Sequence, residues 1–256
     1  MLADDKLPLS IVIISFNAEK LIGACLESAG FAAELIVVDS SSDDATVAIA
    51  QRAGAKVVQH AWRGFGPQKQ FAVHQARYDW VLCLDTDERV SDELKQSIRA
   101  VLQSAAHKAY GMPRRNRFMG RWLKHGEGYP DWSVRLFDRR YARWSDDAVH
   151  EKVITTQTVG RLSGDLLHES AEDLASYLGK QNRYTTLQAA ILFDEGVRIS
   201  TARAALSPLA RFIKFYFFKL GLLDGLPGLT HISIGCFNSF MKYMKLLELQ
   251  RKRGAV

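Results

Sequence analysis

The stretch Asp79-Trp80-Val81-Leu82-Cys83-Leu84-Asp85-Thr86-Asp87-Glu88 limits the fold more than any other, because an apolar run closes abruptly on two carboxylates one residue apart. Val81 and Cys83 alternate with Leu82 and Leu84, so a strand here is apolar on both faces. Such strands lie in the middle of a parallel sheet with helices covering each side. In open α/β sheets, ligands gather outside the carboxyl ends of the strands, and that is where Asp85 and Asp87 fall. An Asp-x-Asp turn offers hard oxygen donors suited to Mg²⁺ or Mn²⁺, with coordination positions left over for a diphosphate. Taken alone, the pattern equally describes a solvated turn or a helix N-cap.

The residues upstream narrow the choice. A β-branched run over 9–14 stops at Ser15-Phe16-Asn17, and a helix is expected over about 18–29. A second run, 34–38, stops at Asp39-Ser40-Ser41-Ser42-Asp43-Asp44; a helical pattern over 45–53 leads to a third run at 56–58, and 67–76 reads as the helix before the strand that ends at Asp85. Strands alternating with helices of this length predict βαβ units and a mostly parallel sheet. Asn17, Asp39, Asp85 and Asp87 would then meet along one sheet edge, as a nucleotide site requires.

At 256 residues the chain can bury a full core as one α/β domain with a C-terminal extension. Cys25, Cys83 and Cys236 have no metal-type or redox spacing and read as reduced residues of a cytoplasmic protein. Residues 1–8 carry two acids and lack the apolar centre of a secretory signal, so export is not expected.

Charge concentrates at the far end. Residues 201–256 hold nine Lys and Arg against Asp224 and Glu248, a net of +7, while the whole chain is only +6. Between Arg211 and Leu220, apolar Phe212, Ile213, Tyr216, Phe217 and Leu220 recur at helical spacing, with Arg211, Lys214 and Lys219 between them. A basic, aromatic amphipathic helix suits an anionic bilayer surface; packing on the sheet or on a second subunit, as a homodimer, is the alternative. Over 220–241, Asp224, Pro227, His231 and Asn238 argue against a transmembrane helix. Bases interleaved with bulky apolar residues fit nucleic acid poorly. The expected division is 1–200 for the α/β domain and 201–256 for the extension.

Ile11-Val12-Ile13-Ile14-Ser15-Phe16-Asn17, Ile36-Val37-Val38-Asp39-Ser40-Ser41-Ser42-Asp43 and Leu84-Asp85-Thr86-Asp87-Glu88 resemble the successive signatures of a family 2 glycosyltransferase with the GT-A fold. Trp62-Arg63-Gly64-Phe65-Gly66-Pro67-Gln68-Lys69, Tyr129-Pro130-Asp131, Arg135-Leu136-Phe137 and Val149-His150-Glu151 extend the likeness to the small bacterial lipopolysaccharide-core glucosyltransferases of the WaaE/KdtX type. The resemblance covers nearly the whole chain. It implies transfer of a hexose, glucose from UDP-glucose, to an inner-core sugar of lipopolysaccharide at the cytoplasmic face of the inner membrane. It also implies that Asp87 ligates a divalent cation, that Asp85 contacts the ribose or a metal-bound water, and that Asp39, with Asn17 beside it, receives the uracil ring.

A sugar nucleotide sets further requirements. Negative charge develops on the leaving diphosphate, and Mg²⁺ or Mn²⁺ would neutralise it; Arg63 and Lys69 are candidate diphosphate donors, Lys69 equally a solvated helix residue. An acceptor hydroxyl needs a general base opposite the leaving group. With cation-assisted departure one carboxylate suffices, which predicts inversion. Asp131 and Glu151 are the candidates, with Asp131 preferred; Arg135 would pair with Asp131 or bind phosphate. His168 is either a further metal ligand or structural. Arg114, Arg115, Arg117, Arg121 and Lys124 form a basic loop that a phosphorylated acceptor would use or that is simply solvated, and Trp122, Tyr129, Trp132 and Trp144 would stack on sugars or pack in the core. The Gln-x-x-Arg-Trp signature of processive members is lacking, so single addition is expected. The other readings are a transferase acting on polyprenyl phosphate or another glycolipid, a nucleotidyltransferase, disfavoured because Ser15-Phe16-Asn17-Ala18 has no glycine, and a non-catalytic membrane adaptor.

Overall fold

The computed structural model describes residues 6–148, 151–169 and 173–254. In chain order the elements are β1 (Leu7–Ser15), α1 (Ile22–Ser28), β2 (Ala32–Asp39), α2 (Thr46–Arg52), β3 (Lys56–Gln59), α3 (Phe65–His74), β4 (Trp80–Asp85), β5 (Glu88–Val90), α4 (Asp92–Gln103), β6 (Ala109–Phe118), β7 (Arg121–Trp122), β8 (Asp131–Asp138), β9 (Ala142–Trp144), β10 (Val153–Thr155), β11 (Val159–Arg161), β12 (Leu166–His168), α5 (Leu174–Asp194), α6 (Thr201–Phe212) and α7 (Gly225–Gly254). The chain divides into two compact units, Met1–Arg114 with Asp131–Glu169, and Arg115–Pro130 with Ser170–Val256. The division falls at 169/170 and takes in 115–130, whereas the charge distribution points to 200.

In the first unit the sheet order is β3-β2-β1-β4-β8-β6-β12-β5, with β11 beside β6. β3, β2, β1 and β4 run parallel, and their register sets Ser15 against Asp39 and Ile14 against Asp85. The three carboxyl ends therefore line up because each apolar run stops at the same height. β1 is buried on both faces, as its composition predicts: Leu9, Ile11 and Ile13 join one core with Ile22, Leu26, Leu82 and Leu84, while Val12 and Ile14 join a second with Ile36, Val38, Cys83 and Phe137. Each fully buried Leu or Ile contributes roughly 1.5–3 kcal/mol. Beyond β4 the sheet turns antiparallel: β8 pairs with β4, β6 with β8, and β12 with β5.

Arg114, Arg115 and Arg117 are not loop residues. β6 extends to Phe118, so the arginines lie on a strand, Arg114 opposite Asp131 of β8. Their alternation carries no apolar face beyond Pro113, which is why the strand reads as loop. α1 starts at Ile22 rather than near 18, since Asn17 sits at φ 46° and the Ala18 amide donates to Thr46 Oγ1 at 2.7 Å.

Helix α3 starts where the chain passes hard against another backbone. The Phe65 and Gly66 amides donate to the carbonyls of Ala148 and Asp147 at 3.0 and 3.1 Å, and a Cβ on Gly66 would lie 2.1 Å from the Ser145 carbonyl oxygen. Gly66→Ala is therefore expected to destabilise the first unit by at least about 1–3 kcal/mol through forced backbone movement. Urea unfolding measures it, and an unchanged midpoint would refute this account of the glycine.

In the second unit α7 packs against α5 and α6. The amphipathic helix expected over 211–220 is broken: α6 ends at Phe212, a widened π-helical turn covers Ile213–Phe218, and Leu220 takes a left-handed φ of 55° before a short 3₁₀ turn, Gly221–Asp224. Asp224 is 1% exposed and accepts from the amides of Lys124 and His125 at 2.9 and 2.8 Å. Arg211 is ion-paired with Glu127. Lys245 Nζ donates to Asn182 Oδ1, Thr185 Oγ1 and Thr186 Oγ1 at 2.7–2.8 Å. Part of the tail's basicity is thus spent inside the unit. Among the described residues no single helix is long and apolar enough to cross a membrane; 201–218 and 221–253 pass that test only as a pair bent by 75°.

Candidate active site

A buried chain of alternating charges lies at the end of β4. Lys69 Nζ, on α3, donates to Glu151 Oε1 at 2.7 Å and stands 3.0 Å from Asp85 Oδ1. Arg135, on β8, donates from Nη2 to Asp85 Oδ2 at 2.9 Å and to Glu88 Oε1 at 2.8 Å, and Glu88 Oε2 accepts from the Asp85 amide at 3.0 Å. Lys69 and Arg135 are 3% and 4% exposed and Glu88 is fully buried. Lys69 is therefore not a solvated helix residue, and Arg135 pairs with Asp85 and Glu88 rather than with Asp131.

The cations set the ionisation of the cluster. Burial works most strongly against an ionised Asp85, but Arg135 and Lys69 overcome it and hold its carboxyl well below the usual range. Burial pushes the Glu88 carboxyl up. Burial would lower the Arg135 pKa, yet Glu88 and Asp85 raise it further above its ordinary value, so the guanidinium stays charged. Trp144, 3% exposed, underlies both cations at 4.9 and 5.5 Å and donates from its indole to Cys83 Sγ at 3.2 Å. It is a core residue, not a sugar platform. Burial of the Cys83 thiol pushes its pKa up to about 12, which keeps it protonated and inert.

Asp87 is brought to His168 by β-pairing. β5 and β12 are antiparallel with Glu88 opposite His168, and the Glu169 amide donates to the Asp87 carbonyl at 2.9 Å. The result sets His168 Nε2 3.1 Å from Asp87 Oδ2, both side chains between 20 and 30% exposed, at 22% and 27%. A carboxylate and an imidazole suit a divalent cation whose other positions go to substrate oxygens and water. No group of three His, Cys, Asp or Glu that could hold a metal occurs among the described residues. Asp85, expected to share the metal, is instead engaged by two cations. Its Oδ1 and the Nε of Arg135 are buried with no hydrogen bond of acceptable geometry, Oδ1 lying 3.0 Å from Lys69 Nζ.

The remaining expected residues have settings of their own. Asp39 is fully buried: Oδ1 accepts from Ser15 Oγ at 2.9 Å and Ser42 Oγ at 2.5 Å, and Oδ2 from the Ser42 amide at 2.8 Å. Asn17 is exposed and accepts from the Asp43 amide at 3.0 Å, so the two residues shape the loop after β2. Arg63 is exposed just before α3. Asp131, 42% exposed, accepts on Oδ2 from Arg114 Nε and Nη2 at 2.9 and 2.7 Å. Trp132, at 45%, carries the Arg161 guanidinium over its ring at 4.8 Å. Trp122 and Tyr129 are half-buried in the second unit. Val149 and His150 lie outside the described residues.

Glu88 escapes sequence reasoning, although it carries half of the Arg135 contact. The available signal is its place one residue past the Asp-x-Asp turn, at the head of a strand whose other end, Val90, is core.

The family described as Glycosyl transferase family 2 matches residues 10–159. The lipopolysaccharide core biosynthesis glycosyltransferase LpsC of Rhizobium meliloti is 32% identical over 95% of this chain and 93% of its own. The uncharacterized glycosyltransferase RT0209 of Rickettsia typhi is 30% identical over 95% and 88%. Among solved structures, S. aureus TarS 1-349 in complex with UDP aligns with a TM-score of 0.52 at 16% identity, covering 93% of this chain and 92% of that one, a likeness of fold. The Asp-x-Asp strand end, the α/β sheet that delivers it and the match over most of the first unit have one explanation: the chain is a glycosyltransferase of family 2.

Proposed function

We propose that this enzyme transfers a hexose, glucose from UDP-glucose, to an inner-core sugar of lipopolysaccharide with inversion, and that it depends on Mg²⁺ or Mn²⁺. The observation that carries the reading is the Asp87–His168 pair beside an Asp85 pinned by two buried cations. Asp87 and His168 would hold the cation, which when bound neutralises charge on the leaving diphosphate. Lys69 and Arg135 fix Asp85 where it would contact the ribose or a metal-bound water. Arg63 reaches the diphosphate from solvent, while Asn17 and Asp39 hold the loop that borders the base. LpsC, whose name places it in lipopolysaccharide core biosynthesis, supports the acceptor, and TarS holds UDP on the same fold.

Asp131 serves as the base in this reading. Both Arg114 donors fall on Oδ2, which leaves Oδ1 to accept the proton of the attacking hydroxyl, and the side chain is open to solvent. Glu151 is clamped by a buried ammonium instead. An α-linked donor then gives a β-glycoside. Incubation with UDP-glucose and a truncated inner-core oligosaccharide, read by NMR of the product, tests this; an α-linked product would exclude direct displacement.

The second unit supports placement on the inner face of the inner membrane, peripherally. Leu206, Leu209, Phe217, Phe218, Leu223 and Leu226 are half or more exposed, Phe218 at 80%, with Lys214 and Lys219 among them. Exposed apolar side chains interspersed with lysines match an anionic bilayer. Phe217→Glu with Phe218→Glu is expected to weaken binding to phosphatidylglycerol vesicles at least about tenfold, since each Phe loses roughly 1.5–3 kcal/mol of burial. Unchanged sedimentation with vesicles would refute it, and a change of oligomeric state alone would assign the face to a homodimer.

A further inference from the structure

One cavity in the second unit is lined by polar rather than apolar side chains. On α5 the polar residues Tyr177, Gln181, Tyr184 and Gln188 follow each other at i, i+4, i+7 and i+11, one continuous stripe. On α7, His231, Gly235, Asn238 and Lys242 repeat the same spacing. Gln188 is exposed, and the other members of the two stripes are half-buried or buried. Together with Arg211, Glu127, Thr185 and Ser239 they line a single cavity of about 290 Å³. Apolar residues of the same two helices, Leu187, Ile191 and Phe237, are instead about half exposed. A seam between packed helices ordinarily takes the apolar stripe, because buried polar groups must find partners. Here the apolar burial on α5 and α7 falls to Ala189, Ile232, Ile234 and Leu246, while the polar stripes line the cavity.

The lining specifies a ligand class. Amides, hydroxyls, a guanidinium and aromatic side chains line it together, a mixture of hydrogen-bonding groups and ring surface suited to a polyhydroxylated ligand. Charge adds a second requirement. Arg211 is matched by Glu127, and a Cβ on Gly235 would lie 2.4 Å from Glu127 Oε2, so a larger residue there would push that carboxylate aside. Lys242 has no acidic partner among the described residues; its ammonium lies over the Tyr243 ring at 4.6 Å. The cavity is thus polar and aromatic in its lining, which includes one lysine with no acidic partner among the described residues. Its volume stands near the lower end of ligand sites, roughly 300–1,000 Å³, the scale of one or two sugar units.

We infer that this cavity between α5 and α7 is a saccharide site, specific for a sugar bearing a phosphate or carboxylate and separate from the donor site. The inference does not rest on the donor chemistry, so the two can fail independently.

The test uses the full chain and glucose 6-phosphate as probe, with glucose and inorganic phosphate as comparisons, followed by isothermal titration and ligand-observed NMR. Glucose 6-phosphate is expected to bind saturably and more tightly than either comparison. Lys242→Gln should weaken it on the order of tenfold, as for loss of a charge-assisted hydrogen bond. Ser239→Leu, which fills the cavity, should abolish binding while the far-ultraviolet spectrum and melting temperature remain those of a folded protein. Asp87→Asn should leave it unchanged. Absence of saturable binding at millimolar concentration would overturn the inference, as would inorganic phosphate binding equally well. Loss of binding in Asp87→Asn with Lys242→Gln unaffected would place the sugar phosphate at the donor site and overturn it too. UDP binding in the same samples reports on the donor site alone.

Discussion

Asp87→Asn is expected to abolish metal-dependent UDP binding and to lower sugar transfer by on the order of 10³-fold or more, several kcal/mol of charge stabilisation at about 1.4 kcal/mol per decade. The substitution keeps shape and removes one charge. Asp87 is about a quarter exposed, and its side-chain contact is with His168, so the melting temperature should stay within a few degrees of wild type. The measurement is titration of UDP with Mn²⁺, with Mg²⁺ and with chelator, into both proteins. Wild type binding that survives chelation, or a mutant that keeps its metal response, would remove Asp87 from the cation site. His168→Ala should weaken metal-dependent binding in the same direction. The adaptor reading predicts no loss of any activity.

Arg135→Met is expected to be the most destabilising single change in the first unit, by about 3–5 kcal/mol. The guanidinium is 4% exposed and serves Asp85 and the fully buried Glu88 together. Removing it strands two carboxylates in a poorly hydrated site, and the loss is chiefly the cost of that stranded charge. The distinguishing measurement is a double-mutant cycle in urea: Glu88→Gln should recover a substantial part of the stability lost in Arg135→Met. Strict additivity would mean that the pair is not coupled. The ion pairs also set a pH dependence. Asp85 titrates below its ordinary 3.8 in the folded state, so its contribution is in place above that value and is lost as pH falls through the depressed one.

The parallel half of the fold was legible because burial on two faces leaves a local mark. Runs such as 9–14 and 34–38 fall inside β1 and β2 with only a residue or two added at each end, and the ends of those runs are where Asp39 and Asp85 lie. What lay beyond reach was pairing between distant residues. Lys69 and Glu151 are 82 positions apart, Asp87 and His168 81, Arg135 and Glu88 47. No local spacing says which carboxylate a buried cation will take: pairing with Asp131, one of the two roles expected of Arg135, falls to Arg114 instead. The arginine-rich end of β6 failed for a related reason: a strand whose outward residues are long cations has no apolar alternation to display. The single helix expected over 211–220 is interrupted by a π-helical turn at 213–218, which periodicity does not register.

The way His168 arrives also bears on where the catalytic region ends. The family match stops at residue 159, before β12, the strand that pairs with β5 just past the Asp-x-Asp turn. A fragment cut at that boundary would retain Asp85 and Asp87 while losing the imidazole and the neighbour that keeps β5 in register. It would therefore look complete by motif and yet be expected to bind the cation poorly, with an unpaired strand edge where a hydrogen-bonded one stood. The smallest autonomous piece runs at least to Glu169, and limited proteolysis should spare everything up to it.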